Sequence, residues 1–119
     1  MKDRKRKLLS QKIQNVNSTF FENGQEAWDY LLSLTEDESK APVDEVQLVI
    51  TDIEMPQMDG HHLTSNIKNH SRLSEIPVVI FSSLITDDLY HKGESVGAIA
   101  QVTKPKIVEL VEEVDKYVL

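Results

Sequence analysis

The sequence predicts a single α/β domain built on a parallel sheet with helices on both faces. Two short runs, residues 47–50 and 77–81, are continuously apolar and rich in β-branched side chains, which is typical of strands buried on both faces. Amphipathic segments with helical spacing lie between and after them. A length of 119 residues suits one compact domain with one core. This alternation favours a parallel sheet with right-handed crossovers.

The predicted elements run in the order helix, then four strand–helix pairs. Two weaker strand patterns complete the alternation, at residues 18–21 and 98–102. Residues 36–44 are polar and are predicted to form a surface loop. The predicted helices after the first cover residues 24–34, 59–69, 86–96 and 106–118.

Cap and turn residues support these helix boundaries. Asn23-Gly24 and Asp59-Gly60 open two of the helices, and Thr86 is suited to cap a third. Gly97 follows that third helix, where a C-terminal glycine is expected. Cap or turn residues thus mark the starts of three predicted helices and the end of one.

The charge is unevenly distributed. The net charge is −7, yet six of the thirteen basic residues fall within the first twelve positions: Lys2, Arg4, Lys5, Arg6, Lys7 and Lys12. No aromatic residues interleave with this run, so a solvated helix start is favoured over a nucleic-acid or membrane patch. The sequence has no cysteine, no apolar run of about 20 residues and no signal-peptide pattern, so a cytoplasmic location without membrane insertion is expected.

Three polar residues follow three predicted strands. Asp52 comes after residues 47–50, Ser82 after residues 77–81, and Lys104 after residues 98–102. Ligands of open parallel sheets bind at the carboxyl ends of the strands. A carboxylate can form an acyl phosphate when nearby cations and donors offset the charge repulsion, so the trio suits phosphoryl transfer to Asp52. Taken singly, each residue is more often a cap, a turn residue or a solvated lysine.

The segment that follows Asp52 makes a family resemblance specific. Residues 52–60 read Asp-Ile-Glu-Met-Pro-Gln-Met-Asp-Gly, which resembles the signature loop of response-regulator receiver domains, the CheY-like family. Ser82 and Lys104 fall where that family places a hydroxyl residue and a lysine. Residues 20–31, 81–89 and 91–98 are similar to the receiver portion of the CheV chemotaxis adaptors, in which a CheW-like domain precedes the receiver. The resemblance covers nearly the whole chain.

The resemblance implies a flavodoxin-like fold and a set of roles. Asp52 would be the phosphoacceptor, Lys104 would contact the phosphoryl group, and Ser82 would contact it and switch position. Mg²⁺ would take Asp52 and the backbone carbonyl of Glu54. The loop-shaping residues would be Pro56, Gly60 and Pro105. The implied donor is a CheA-type histidine kinase in a chemoreceptor signalling complex, with no nucleic acid.

The sequence departs from the family at its start. Receivers begin with an apolar strand that ends in two acidic residues, whereas residues 1–9 resemble the body of the first helix, and Asp3 is a poor candidate ligand. We therefore expect weak or absent Mg²⁺ binding. Without that interior strand, we expect either that residues 18–21 close directly on residues 47–51, or that a dimer fills the gap by swapping. Gln101 also stands near where many receivers carry a switch aromatic.

Three other functions compete with a phosphoacceptor. Haloacid-dehalogenase-like phosphatases also use a strand-end aspartate with a second acid two positions later, but that acid is normally aspartate rather than Glu54. A receiver-like scaffold with impaired or lost phosphorylation is the second alternative. The third is a metal site formed by the histidines. Their spacing is not that of a zinc site, so His61, His62, His70 and His91 are predicted to be surface residues.

Overall fold

A three-stranded parallel sheet organises residues 18–118, which are the residues that the computed structural model describes. The strand order is β1-β2-β3. The elements are α1 (Gly24–Ser33), α2 (Pro42–Glu45), β1 (Val49–Thr51), α3 (Gly60–Asn69), β2 (Val78–Ser82), α4 (Asp87–Val96), β3 (Ala100–Thr103) and α5 (Ile107–Tyr117). The predicted alternation of strands and helices is confirmed from α1 onward.

The central strand β2 forms the middle of the sheet. It pairs with β1 from Val49↔Val78 to Thr51↔Ile80, and with β3 as far as Ser82↔Thr103. Three of its apolar side chains are fully buried, as the continuous apolar run predicts. β1 is different, because Ile50 is 45% exposed. The prediction that β1 is buried on both faces is therefore wrong at Ile50.

The predicted caps are confirmed at all four positions. The side chains of Asn23, Asp59 and Thr86 each accept a hydrogen bond from a backbone N–H in the first turn of α1, α3 and α4 respectively. Gly97 ends α4 with φ 102°, a left-handed conformation that favours glycine. An N-cap of this kind contributes about 1 kcal/mol.

The main core lies between β2 and the helices α1 and α3. α3 contributes Leu63 and Ile67, and α1 contributes Leu31. By contrast, Gly93 is the one buried residue of α4. None of the helices among residues 18–118 has the length and apolarity needed to span a membrane. The main cluster is Leu31, Met58, Leu63, Ile67, Leu73, Ile76 and Val78.

Two sequence predictions need correction. Residues 18–21 do not form a strand, and within the described part of the chain they do not close on β1. Residues 36–44 are not all loop, because Pro42 starts the short helix α2 at a position where its missing N–H costs nothing. The swapped dimer stays a prediction. The predictions for residues 1–9 and for Lys12 lie outside the described residues.

Candidate functional site

The carboxyl edge of the sheet brings the three predicted site residues together. Asp52 follows the last residue of β1, Ser82 is the last residue of β2, and Lys104 follows the last residue of β3. Because the strands are parallel and in register, these ends meet at one edge. The backbone N–H of Lys104 donates to the carbonyl of Ser82 at 2.8 Å, which extends the ladder by one residue.

Asp52 and Lys104 form an ion pair. The Lys104 Nζ atom lies 2.7 Å from Asp52 Oδ2. The other oxygen, Oδ1, accepts hydrogen bonds from the backbone N–H of Ile53 at 2.7 Å and of Glu54 at 3.4 Å. Both carboxylate oxygens are therefore held in place, and because the Asp52 side chain is 31% exposed, the group stays within reach of an incoming reactant.

The Asp52 carboxyl group is held in its ionised form. Burial is the largest single influence on its pKa and acts to raise it. Hydrogen bonds from Lys104, Ser82 and the Ile53 N–H, together with the charge of Lys104, outweigh burial, so the pKa lies below its usual range. A deprotonated carboxylate is the state that a nucleophile requires.

Backbone hydrogen bonds fix the loop from Met55 to Gly60 next to Asp52. The Gly60 N–H donates to the Ile53 carbonyl at 2.8 Å, which ties the start of α3 to the site. A Cβ at Gly60 would fall well inside 3.0 Å of the Asp52 carbonyl oxygen, so only glycine fits there. Pro56 lies at the turn, and its carbonyl accepts from the Gly24 N–H at 3.4 Å.

Two features of the site were missed from the sequence. The Lys104 ammonium lies 5.6 Å from the centroid of the Phe81 ring, which helps to fix its position. The Ile53 N–H that holds Asp52 is the second feature. Phe81 directly precedes Ser82 and could have been found as a strand-end aromatic. The sequence carries no signal for the N–H, because every residue except proline has one.

Ser82 is only 3% exposed, so its side chain lies in the floor of the site rather than on the surface.

Gln101 lies in β3, away from this edge, and its Nε2 donates to the Tyr90 carbonyl of α4 at 2.8 Å. Its Oε1 atom is buried without a hydrogen-bond partner among the described residues. Gln101 therefore links β3 to α4 and does not reach Asp52.

The described residues meet the needs of Mg²⁺ only in part. Mg²⁺ prefers oxygen ligands in octahedral geometry and keeps several waters. Asp52 supplies a carboxylate, and Glu54 lies two residues later with its side chain exposed. Residues 18–118 contain no group of three acidic, histidine or cysteine residues placed to hold a metal ion. A metal here would need ligands beyond Asp52 and the Glu54 carbonyl.

The histidines form no metal group in this part of the chain. His62 and His91 are exposed as predicted, but the prediction is wrong for His61, which is 3% exposed. His61 is in the first turn of α3, and its burial and the nearby charge of Lys92 both lower its pKa. His61 lies on a different face of α3 from Leu63 and Ile67, and the residues near it, Leu89 and Lys92, belong to α4.

Comparisons with known proteins point to one family. The model of the response regulator receiver domain matches residues 2–115. The chain is 33% identical over 112 residues to the chemotaxis protein CheV2 of Helicobacter pylori, covering 92% of this chain and 34% of CheV2. The chain thus spans about a third of that relative.

Solved structures show the same fold. The Mn²⁺-bound response regulator Rcp1 superposes with a TM-score of 0.68 at 19% identity, covering 96% of this chain and 86% of Rcp1. The Mg²⁺-bound receiver domain of the histidine kinase PA1611 from Pseudomonas aeruginosa also gives 0.68, at 15% identity, covering 94% and 86%. The fold is therefore CheY-like and flavodoxin-like, and the chain belongs to the response regulator receiver family, with CheV chemotaxis proteins among its relatives.

Proposed function

We propose that the chain is a phosphoacceptor domain that receives a phosphoryl group on Asp52 from a histidine kinase. The observation that carries this proposal is the 2.7 Å contact between Asp52 and Lys104 at the carboxyl edge of the sheet. An ionised carboxylate is held there beside a cation and a hydroxyl, as phosphoryl transfer requires. Membership of the receiver family supports the same role.

The transfer forms one bond and breaks one. A carboxylate oxygen of Asp52 bonds to phosphorus, and the bond from phosphorus to the donor imidazole nitrogen breaks. The electron pair of that bond returns to the nitrogen, and the imidazole leaves as a neutral ring because it carries a proton on its other nitrogen or takes one from water as the bond breaks. The product is an acyl phosphate, and the charge on its phosphoryl oxygens grows next to Lys104.

Residues around Asp52 have separate tasks in this proposal. Lys104 transfers its contact from Asp52 Oδ2 to a phosphoryl oxygen. The Ser82 hydroxyl donates to a second phosphoryl oxygen, and this shift is the switch, since Ser82 is buried at the end of β2. Pro56, Gly60 and Pro105 shape the loops around the site. Mg²⁺, when bound, would neutralise phosphoryl charge, with Asp52 and the Glu54 carbonyl among its ligands.

The proposed setting is bacterial chemotaxis signalling in the cytoplasm. Similarity to CheV2 supports a CheA-type histidine kinase as the donor and a chemoreceptor complex as the partner assembly. Because the chain matches about a third of CheV2, we place residues 1–119 as one receiver domain within a longer adaptor that carries a CheW-like domain upstream. The domain signals through its own modification and turns over no external substrate.

Intact-mass spectrometry after incubation with acetyl phosphate and Mg²⁺ tests the proposal. The chain is expected to gain one phosphoryl group, slowly because its ligand set for Mg²⁺ is incomplete among residues 18–118. Hydroxylamine is expected to remove the group, because an acyl phosphate is labile to it. Asp52→Asn is expected to abolish the gain. Asp88→Asn is the matched control, since Asp88 is an exposed acid of α4 and its loss is expected to leave the gain unchanged.

Lys104→Met tests the cation. Loss of an electrostatic contact to the transferring group is expected to slow incorporation by about 100-fold. Lys106→Met is the control, because Lys106 is an exposed lysine two residues away. Equal slowing by both substitutions would show a general charge effect and would contradict the assigned role of Lys104.

A receiver-like scaffold without phosphorylation is the second candidate. The observation that favours it is the incomplete ligand set for Mg²⁺ within residues 18–118. No phosphoryl gain by the wild-type chain at any Mg²⁺ concentration, with the fold intact by circular dichroism, would replace the phosphoacceptor proposal with the scaffold.

A further inference from the structure

The side chain of Phe81 has a position that packing in the main core does not explain. β2 is buried along its length except at Phe81, which is partly exposed. Among the described residues, Phe81 belongs neither to the main core cluster nor to the partly buried side chains that pack against that cluster. An aromatic side chain usually contributes most to a fold through the large apolar area that it buries. Another contact of the Phe81 ring must therefore be considered, at the end of the strand next to the site.

That contact is with the cation of the site. The Lys104 Nζ atom lies over the Phe81 ring, 5.6 Å from its centroid. The face of an aromatic ring carries partial negative charge, and an ammonium within about 6 Å of the centroid is attracted to it. The same ammonium lies 2.7 Å from Asp52 Oδ2. Lys104 therefore has one charged partner and one neutral partner.

The register of the sheet brings the ring and the lysine together. Phe81 pairs with Val102 and Ser82 with Thr103, so Lys104 starts one residue beyond the paired part of β3. The Lys104 N–H donates to the Ser82 carbonyl at 2.8 Å, which fixes the lysine backbone beside β2. The side chain of a lysine is a flexible four-carbon stem, which the backbone does not hold. Contacts of the ammonium itself must therefore determine where the charge lies.

Phosphoryl transfer makes different demands on these two contacts. In the proposed reaction, Lys104 leaves Asp52 Oδ2 for a phosphoryl oxygen, so the ion pair must open. The Lys104 side chain is 41% exposed, and water can then draw the ammonium away from the site. The contact with Phe81 need not open, because the ring is neutral and takes no part in the transfer. A carboxylate at the same place would instead compete with the phosphoryl group for the ammonium.

We propose, as a step that rests on the phosphoacceptor function, that Phe81 is a positioning residue: its ring keeps the Lys104 ammonium at the site while the ammonium exchanges Asp52 Oδ2 for a phosphoryl oxygen. Phe81 acts through Lys104 and not on the reacting atoms. The effect depends on the negative face of the ring, so an aliphatic side chain of similar volume does not replace it.

Fluorinated phenylalanines at position 81 test the charge of the ring in the full chain. One, two and three fluorine atoms draw electron density from the ring face in steps and change its size little. Intact-mass spectrometry follows phosphoryl incorporation from acetyl phosphate and Mg²⁺. The rate is expected to fall with each fluorine atom, by about fivefold in the trifluoro variant, which corresponds to about 1 kcal/mol. Fluorine makes the ring more apolar, so a ring that only excluded water would give an unchanged or faster rate, and either result overturns the proposal.

The same amino acids at position 21 are the matched control. Phe21 is also partly exposed, but its ring packs against the Tyr30 ring, with 5.3 Å between the centroids, and not against a cation. Fluorination of Phe21 is expected to leave the rate of phosphoryl incorporation unchanged. Equal slowing at the two positions would show a general effect of the fluorinated residue and would contradict the role of Phe81.

Phe81→Leu and Phe81→Tyr make the comparison with natural side chains. Leucine keeps an apolar side chain without a ring face, whereas tyrosine keeps the face. We expect Phe81→Leu to slow incorporation by about fivefold and Phe81→Tyr to stay within about twofold of the wild-type rate. Equal rates in the two variants contradict the proposal.

Proton NMR of Lys104 gives a readout that needs no phosphorylation. Protons near the face of an aromatic ring are shifted upfield by its ring current. The ε-methylene signal of Lys104 is expected to be shifted upfield in the wild-type chain and in Phe81→Tyr, and to lose that shift in Phe81→Leu. An unchanged signal in Phe81→Leu, in a chain whose other signals show the folded state, overturns the contact.

The rates also separate this role of Phe81 from the phosphoacceptor function. A wild-type chain that gains no phosphoryl group overturns both. A wild-type chain that gains one on Asp52, at a rate that does not depend on the charge of the Phe81 ring, overturns the role of Phe81 alone.

Discussion

Gly60→Ala is the substitution that best tests the packing beneath Asp52. A methyl group at this position would fall well inside 3.0 Å of the Asp52 carbonyl oxygen. That oxygen also accepts a hydrogen bond from the Thr51 hydroxyl at 2.9 Å, and the Gly60 N–H holds the Ile53 carbonyl. Neither side of the contact is a flexible side chain, so the start of α3 and the Asp52 peptide must move apart.

The expected cost follows from these contacts. Forcing an extra methyl group into a packed site costs about 1–3 kcal/mol. Weakening the hydrogen bond from Gly60 to Ile53 adds about 1 kcal/mol. We therefore expect the free energy of unfolding to fall by about 2–4 kcal/mol. Because Asp52 is displaced from Lys104, phosphoryl incorporation is expected to fall in the same variant.

Gly93→Ala is the matched control. Its new methyl group would also meet a neighbour too closely, but that neighbour is the side-chain amide of Gln101. The amide can rotate away, which weakens its hydrogen bond to the Tyr90 carbonyl and costs about 1 kcal/mol. Alanine is favoured over glycine inside a helix by about 1 kcal/mol, which offsets that cost. The net change in stability is therefore expected to stay within about 1 kcal/mol.

Urea unfolding followed by the fluorescence of Trp28 measures both variants. Trp28 is the single tryptophan of the sequence and packs against the main core, so its emission reports global unfolding. If Gly60→Ala proves as stable as Gly93→Ala, the Asp52 carbonyl is not fixed against the start of α3.

Three further predictions concern His61, Lys104 and Arg72. Burial and the charge of Lys92 lower the pKa of His61 in the fold, so near this pKa the folded chain binds fewer protons than the unfolded chain. The free energy of unfolding is therefore expected to fall as the pH drops below about 6.5. His61→Gln should flatten that pH dependence in urea titrations. Lys104→Met is expected to raise the pKa of Asp52, because burial then acts with less opposition, and a carboxyl ¹³C titration that shows no rise would contradict this. The Arg72 guanidinium donates to the backbone carbonyls of Thr35 and Lys40, at 2.7 and 2.6 Å, in the polar segment that precedes α2. Arg72→Gln is therefore expected to lower the free energy of unfolding in urea by about 1–2 kcal/mol and to speed proteolysis of that segment. Unchanged proteolysis would show that Arg72 does not hold the segment in place.

Much of the site could be predicted from the sequence because its parts are local. Asp52, Ser82 and Lys104 each follow a run whose composition marks a strand, and parallel strands bring their carboxyl ends to one edge. The helix starts were predictable for the same reason, since a cap bonds to its own first turn. The roles of these residues remain proposals, but their meeting at one edge did not require knowledge of the tertiary packing.

Burial was harder to predict where it depends on a neighbouring helix. His61 was predicted to lie at the surface because histidine is polar and stands next to His62. In the fold His61 is 3% exposed and lies near Leu89 and Lys92 of α4. Its Nε2 atom has no hydrogen-bond partner among the described residues. Nothing in residues 59–69 alone shows that a second helix covers this turn.

The failed strand at residues 18–21 shows why helices were predicted better than strands. A helix satisfies its backbone within one segment, so spacing and caps determine it. A strand satisfies its backbone only by pairing, and pairing depends on a partner elsewhere in the chain. Residues 18–21 have β-prone side chains, yet they lie across a groove from β1 without pairing to it. β1, β2 and β3 do pair, in register, and this pairing fixes the geometry of Asp52, Ser82 and Lys104 although no strand among residues 18–118 pairs with the outer edge of β1.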